Sequence, residues 1–366
     1  MTLQPPGLTI LITNNSMTVR SGTIMYVKDL ALRFLALGHR PIVYSPQLGA
    51  VADELLQRTV PVVDDLAKIG VVPDVIHGHH HPQTMMALAH FPHTPAIFVS
   101  HDWSAWQDVP PLFPRILRYC AVDQTCLDKL IAMNGVAENQ TRVLYNAVDL
   151  NRFQPRGALP PRPQRAAIFT NYRYDIGPVR AACARLGIAL DEIGGASGAQ
   201  LSAPENTLGQ YDLVFAKARA ALEAMAVGCA VVVCDFRGVA GLVRTENFDA
   251  LRRLNFGARS LQKPHDTDYI AAEIGRYNAV DAAQISESVR QTASLDALAT
   301  DFIELYNEVI EQHRQCPTDA DTEGPAMARY LRDWGYTRRW QWEREQVFRR
   351  IPRPLIRLAK RLLIRD

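Results

Sequence analysis

Apolar residues in this chain fall into short unbroken runs separated by stretches of helical period. LTILIT (8–13) is the first run, and it has strand length. After NNSMTVRSGT, residues Ile24, Val27, Leu30, Ala31, Phe34 and Leu35 recur every three or four positions, which predicts a helix ended by Gly38. PIVYS (41–45), DVIHG (74–78), PAIFVSHD (95–102), YCAVD (119–123) and RVLYN (142–146) follow at intervals that leave room for helices. Strands that are apolar on both faces and alternate with helices predict a parallel sheet covered on both sides.

RFQPRGALPPRPQR (152–165) breaks this rhythm. It is rich in Pro and Arg, has no period, and reads as a linker. The pattern restarts with AAIFTN (166–171), a helix opened by Pro178 and ended near Gly187, and IALDEIGG (188–195). DLVFAKARAALEAMAVGCAVVVCD (212–235) gives strand, helix and strand. LDALATDFIELYNEVIEQH (295–313) is a long amphipathic helix expected to close this second unit. QCPTDADTEGPA (315–326) is a polar break before the tail. The expected fold class is therefore α/β. Two Rossmann-like, doubly wound parallel-sheet domains, 1–155 and 156–313, face a cleft, and a basic helical tail occupies 314–366. Ligands of such sheets bind outside the carboxyl ends of the strands.

Composition narrows the class. The 366 residues are 48% hydrophobic and 21% charged, as in ordinary globular proteins. The six cysteines form no CxxC pair, and Cys183, Cys229 and Cys234 sit in apolar runs, which fits a reducing cytoplasm. The N-terminal MTLQPPGLTILIT lacks a basic region and does not read as a secretory signal, and no run reaches the roughly 18–20 apolar residues of a membrane span.

The net charge of +2 conceals an asymmetry. Residues 329–366 carry twelve Lys/Arg against four Asp/Glu, which leaves 28 against 34 for the rest. In PRPLIRLAKRLLIRD (352–366), Leu355, Leu358, Ala359, Leu362 and Leu363 form one stripe, flanked by Arg357, Lys360, Arg361 and Arg365. Trp334, Trp340, Trp342 and Phe348 lie upstream. This segment reads either as an interfacial helix on an anionic membrane surface, the inner face of the cell membrane, or as a helix packed on the first domain. Nucleic acid is not expected as a partner, because the body is acidic and holds no recognised binding module.

Candidate chemistry centres on 217–227. Lys217 and Arg219 fall at the start of a predicted helix whose core stripe is Ala218, Ala221, Leu222 and Met225. Cations there oppose the helix dipole, at a cost of some tenths of a kcal/mol each, about 0.3–1. An anion such as a phosphate, held also by the free N–H groups of the helix start, would offset that cost. Glu223 lies four residues after Arg219. It makes either a surface i,i+4 pair or an acceptor for ribose hydroxyls beside the phosphates.

Gly22, at the turn after the first strand, either lets the backbone approach a ligand closely or belongs to an ordinary strand–helix turn. His101 follows directly on PAIFVS and should project at the sheet's carboxyl edge, as a site residue or as a buried structural His. His77, His79, His80 and His81 invite a metal reading, but Pro82 breaks the spacing and no Cys or Glu completes a set, so no metal is expected. IGGASG (193–198) and RGVAGLV (237–243) are expected as Gly-rich loops at strand ends. A NAD enzyme is disfavoured because NNSMTVRSG lacks GxGxxG.

Several of these stretches together resemble one family. LEAMAVGCAVVVCD resembles the LEAMACGTPVV segment of the group 1, or family 4, retaining glycosyltransferases, which have the GT-B fold. SGTIMYVKDLALRFLALGHRPIVYSP (21–46), DVIHGHHH (74–81), YNAVDLNRFQP (145–155) and ASLDALATDFIELYNEVI (293–310) are similar to that family's first Gly loop and helix, third strand, domain-junction signature and closing helix.

The resemblance implies sugar transfer from a nucleotide-diphosphate sugar to a glycan or lipid-linked acceptor, with retained configuration and no required metal or cofactor. It implies that Glu223, matching the second Glu of the family's E-x7-E motif, binds the ribose. It implies that Gly22 lies against donor phosphates or acceptor, and that His101 lines the reaction centre. The motif's first Glu is replaced by Phe215, and AKAR stands in place of the EGFG loop. The family's Arg–Lys clamp is not in its usual place, which makes Arg173, with Lys217 and Arg219, the candidates for holding the diphosphate. The alternative class is a non-catalytic protein of this fold that binds a nucleotide or glycan.

Overall fold

The computed structural model describes residues 7–171, 174–195 and 203–350. Arg173, Gly198 and the predicted helix at 352–366 lie outside them. The first unit comprises β1 (Thr9–Thr13), α1 (Gly22–Ala36), β2 (Arg40–Tyr44), α2 (Ala50–Gln57), β3 (Val62–Val63), β4 (Val75–His79), α3 (His81–His90), β5 (Ala96–Ser100), β6 (Ile116–Ala121), α4 (Gln124–Asp128) and β7 (Thr141–Val143). Its sheet runs β3-β2-β1-β4-β5-β6-β7, parallel throughout. All five residues of β1, of β4 and of β5 are buried, as the unbroken apolar runs require of strands covered on both faces.

The second unit comprises β8 (Arg165–Phe169), α5 (Gly177–Arg185), β9 (Ala189–Ile193), α6 (Glu205–Leu208), β10 (Leu213–Ala216), α7 (Ala218–Val227), β11 (Ala230–Asp235), β12 (Gly238–Leu242), α8 (Phe248–Arg253), α9 (Thr267–Ile274) and α10 (Ala279–Thr292). Its order is β12-β11-β10-β8-β9. RGVAGLV, expected as a Gly-rich loop, forms β12 and pairs antiparallel with β11. Gly238 makes this possible. Its backbone lies so close to Lys263 that a Cβ would come within 2.6 Å of the carbonyl oxygen, and it has a positive φ of 156°.

Two helices return to the first unit. α11 (Leu295–Gln315) was expected to close the second unit, yet its stripe of Leu295, Leu298, Ala299, Phe302, Leu305, Tyr306 and Val309 belongs to the first unit's core. Phe302, Leu305 and Tyr306 are fully buried, and each such side chain contributes about 1.5–3 kcal/mol relative to exposure. Ser294 caps the helix, accepting from the Asp296 amide at 3.1 Å. α12 (Ala320–Arg350) follows, and Ala326, Met327 and Tyr330 pack on the same core. Where the chain crosses between units, Val148 N–H donates to the Ala293 carbonyl (2.8 Å) and Leu295 N–H to the Val148 carbonyl (2.9 Å), so both crossings are hydrogen-bonded side by side.

Candidate functional site

The carboxyl ends of β1, β4 and β5 lead into the 14–21 loop, His80 and His101. Those of β8, β10 and β11 lead into Asn171, Lys217 and Asp235. The two edges meet: the Asn171 side-chain amide donates to the Arg20 carbonyl at 3.2 Å, and its oxygen accepts from Gly195 N–H at 3.0 Å. Both edges carry a non-glycine residue in the left-handed region at a strand–helix turn, His80 (φ 59°) and Ala218 (φ 50°). Such conformations cost on the order of 1–3 kcal/mol and gather at functional sites. Ala218 is held there by its N–H donating to the Phe256 carbonyl at 2.9 Å.

Arg219, in the first turn of α7, is the centre of an ionic cluster. Its Nε donates to Glu223 Oε1 at 2.8 Å, and its Nη2 donates to Asp29 of α1, across the two units. Arg152 at the junction donates to the other Asp29 oxygen at 3.2 Å and lies 3.5 Å from Glu205. Asp29 is buried, which by itself raises its pKa, but Arg219 and then Arg152 outweigh burial and hold the carboxyl below its usual value. For Glu223 burial wins over Arg219, and its pKa is raised. Lys217 stands at the residue before α7, where its side chain makes no capping bond, and its ammonium pairs with buried Asp235. The dipole cost of these cations is thus offset by protein carboxylates. Glu223 Oε2 has no protein partner among the described residues.

A second cluster is built of imidazoles. His101 Nε2 lies 2.8 Å from His79 Nδ1, and Tyr26 stands edge-on to both rings at 4.7 and 5.7 Å. His77 Nδ1 bonds the Tyr306 hydroxyl of α11 and its ring packs on Phe302 at 4.8 Å. His80 Nδ1 accepts from Asn15 N–H at 3.3 Å, and His81 Nδ1 pairs with the Tyr330 hydroxyl of α12 at 2.9 Å. Burial lowers every one of these pKa values, His77 and His101 to about 3 and His80 and His81 to about 4. No group of three His, Cys, Asp or Glu among the described residues is arranged to hold a metal. No helix among them is long and apolar enough to cross a membrane.

Residues 20–152 match the family model described as Glycosyltransferase Family 4. The N-terminal unit is a family 4-like glycosyltransferase domain. The search of curated proteins by sequence finds no match. Among solved structures, the chain is similar to Anabaena HepE in complex with UDP-glucose, with a TM-score of 0.60 and 15% identity over 82% of this chain and 100% of that one. It is similar to a glycosyltransferase from Rickettsia africae ESF-5, with a TM-score of 0.59 and 13% identity over 83% and 99%. A putative UDP-N-acetylglucosamine 2-epimerase from Listeria monocytogenes also matches, with a TM-score of 0.50 and 13% identity over 86% and 98%. These likenesses establish the GT-B frame. The frame alone does not choose the reaction, since one neighbour is described as an epimerase. The family match, over residues 20–152, supports a glycosyltransferase.

In this glycosyltransferase the structure brings Lys217, Arg219 and Glu223 together on one edge and Gly22 and His101 onto the facing one. Gly22 opens α1, and beyond its chain neighbours and its own helix no atom of the described residues lies within 4 Å of where its Cβ would stand. Arg173 lies outside the described residues. Phe215, at the position of the family's first Glu, is fully buried on β10. Sequence reasoning missed Asp29, Asn171, Arg152 and the role of His79. Asp29 did leave a signal, an acid amid the apolar stripe of α1. Asn171 and Arg152 left none, because their bonds run between segments distant in sequence.

Proposed function

We propose that this glycosyltransferase moves a sugar from a nucleotide-diphosphate sugar to a glycan or lipid-linked acceptor, with retained anomeric configuration, in cell-surface polysaccharide synthesis. In this reading the donor lies between the facing edges. Glu223 accepts from the ribose hydroxyls, Lys217, Arg219 and Arg173 bind the diphosphate, Gly22 leaves room for the phosphates, and His101 lines the reacting sugar. The leaving phosphate takes the acceptor proton, so neither a side-chain base nor a metal or other cofactor is required. The basic segment 352–366 meets the anionic membrane surface that presents the acceptor.

The observation that carries the reading is Glu223. A buried carboxylate is costly unless its oxygens are paired. Here Oε1 is held by Arg219, while Oε2 has no protein partner among the described residues and is not an orphan sealed from solvent by them, so a hydroxyl arriving from the cleft can reach it. HepE, whose structure holds UDP-glucose, supports uridine nucleotides as the first donors to test. Calorimetry with UDP, GDP, ADP and CMP and their sugar conjugates tests the site. One nucleotide should bind, and Glu223→Ala should weaken it by about 1–3 kcal/mol, the cost of a lost buried hydrogen bond. No binding at millimolar concentration overturns the donor site. It would favour the alternative of a non-catalytic binding protein, for which buried Phe215 is the supporting observation.

A further inference from the structure

The contact between His101 and His79 has a direction that the structure allows to be worked out. A neutral imidazole carries one N–H and one lone pair, so a 2.8 Å contact between His101 Nε2 and His79 Nδ1 requires one to donate and the other to accept. Burial keeps both rings neutral, since it lowers both pKa values.

If His101 donates, the His79 proton sits on Nε2. That atom is buried and has no partner among the described residues, and an orphaned buried N–H is the costlier defect. If His79 donates from Nδ1, only a lone pair is left unpartnered at its Nε2. His101 then accepts on Nε2 and carries its own proton on Nδ1. Among the described residues His101 Nδ1 has no partner, and the ring is partly exposed at the carboxyl edge of β5. Tyr26, edge-on to both rings, restricts their rotation.

We propose that His79 is a positioning residue that fixes His101 as the Nδ1–H tautomer, so that His101 faces the cleft as a neutral hydrogen-bond donor to an oxygen of the donor sugar. The tautomer rests on the geometry and burial of the two rings; the sugar contact rests on the function proposed above.

The test is 15N NMR of the histidine-labelled full chain at pH 7, with His101→Phe to assign the His101 signals. The wild type should show a protonated Nδ1 and an unprotonated Nε2 at His101. His79→Phe removes the donor, and His101 should shift toward the Nε2–H form that free imidazoles favour. His79→Asn, whose amide can donate from nearly the same place as Nδ1, should restore the wild-type pattern. Where UDP-sugar turnover is measurable, His79→Phe should lower kcat about tenfold with KM little changed, and His79→Asn should recover it. A wild-type proton on Nε2, or an unchanged tautomer in a folded His79→Phe, overturns the proposal. If that variant does not fold, the wild-type and His79→Asn spectra decide. Failure to find any nucleotide-sugar binding or turnover would overturn the proposed function and leave the tautomer assignment intact.

Discussion

Asp29 places a charge in the apolar stripe of α1, and its partner Arg219 lies 190 residues away. The anomaly in the stripe is visible in the sequence. The partner is not, because no local period links α1 to α7. Lys217 and Arg219 were legible because cations at a helix start conflict with its dipole, and Glu223 because it follows Arg219 by four residues, but the sequence left open which anions answer the two cations. The structure supplies Asp29, Glu223 and Asp235. Removing one partner of a buried pair leaves an uncompensated charge at a cost of about 3–5 kcal/mol. Asp29→Asn should therefore lower the urea unfolding free energy by about that amount. A loss below about 1 kcal/mol for Asp29→Asn, outside the range that principle gives for a buried pair, would show that the pair does not bind the units together.

At the scale of elements, periodicity identified strands and helices well and destinations poorly. α11 has a clean amphipathic stripe, which says that the helix must bury one face, not which sheet will cover it. Here the slot beside Phe34 and His77 takes it, with Tyr306 5.7 Å from Phe34. β12 was misread because its glycines suggest a loop, whereas Gly238 serves a close backbone approach within a strand. α12 is anchored by Arg115, whose guanidinium is buried. Nη1 donates to the Phe91 (2.7 Å) and Thr94 (2.9 Å) carbonyls, Nη2 to the Leu88 carbonyl (2.6 Å), and Nε to Glu323 of α12. Glu323→Ala removes the only one of these bonds that reaches α12. Hydrogen exchange in 320–335 should rise by roughly 10–100-fold, corresponding to about 1.5–3 kcal/mol for a charged hydrogen bond, with β4–β6 unchanged. Unchanged exchange in α12 would place its anchorage elsewhere, in Tyr330 and Met327.

Across the whole molecule, the imidazole cluster ties stability to pH. In the unfolded chain each His gains a proton near pH 6.5, whereas in the folded chain His77 and His101 remain neutral to about 3. Below pH 6.5 the unfolded state therefore binds more protons, and stability falls with pH until the folded pKa is reached. For His77 alone the loss between pH 7 and 5 is about 2 kcal/mol, at about 1.4 kcal/mol per unit below 6.5. Urea midpoints should fall steadily over that range, and His77→Phe should flatten part of the slope. Equal midpoints at pH 7 and 5 would contradict the burial of these rings. Asp29 acts lower down: its depressed pKa stabilises the fold above its unfolded value near 4 and is lost as pH falls through the folded value. The return of α11 to the first sheet also has a consequence for the order of synthesis. β1 to β7 leave the ribosome first, yet the helix that covers His77 and Phe34 is translated only after the entire second unit, a delay on the order of ten to thirty seconds at roughly 5–20 residues per second. A nascent first unit must wait through that interval with an apolar slot open to water and to other chains, so the earlier-made of the two sheets is the later one to be finished.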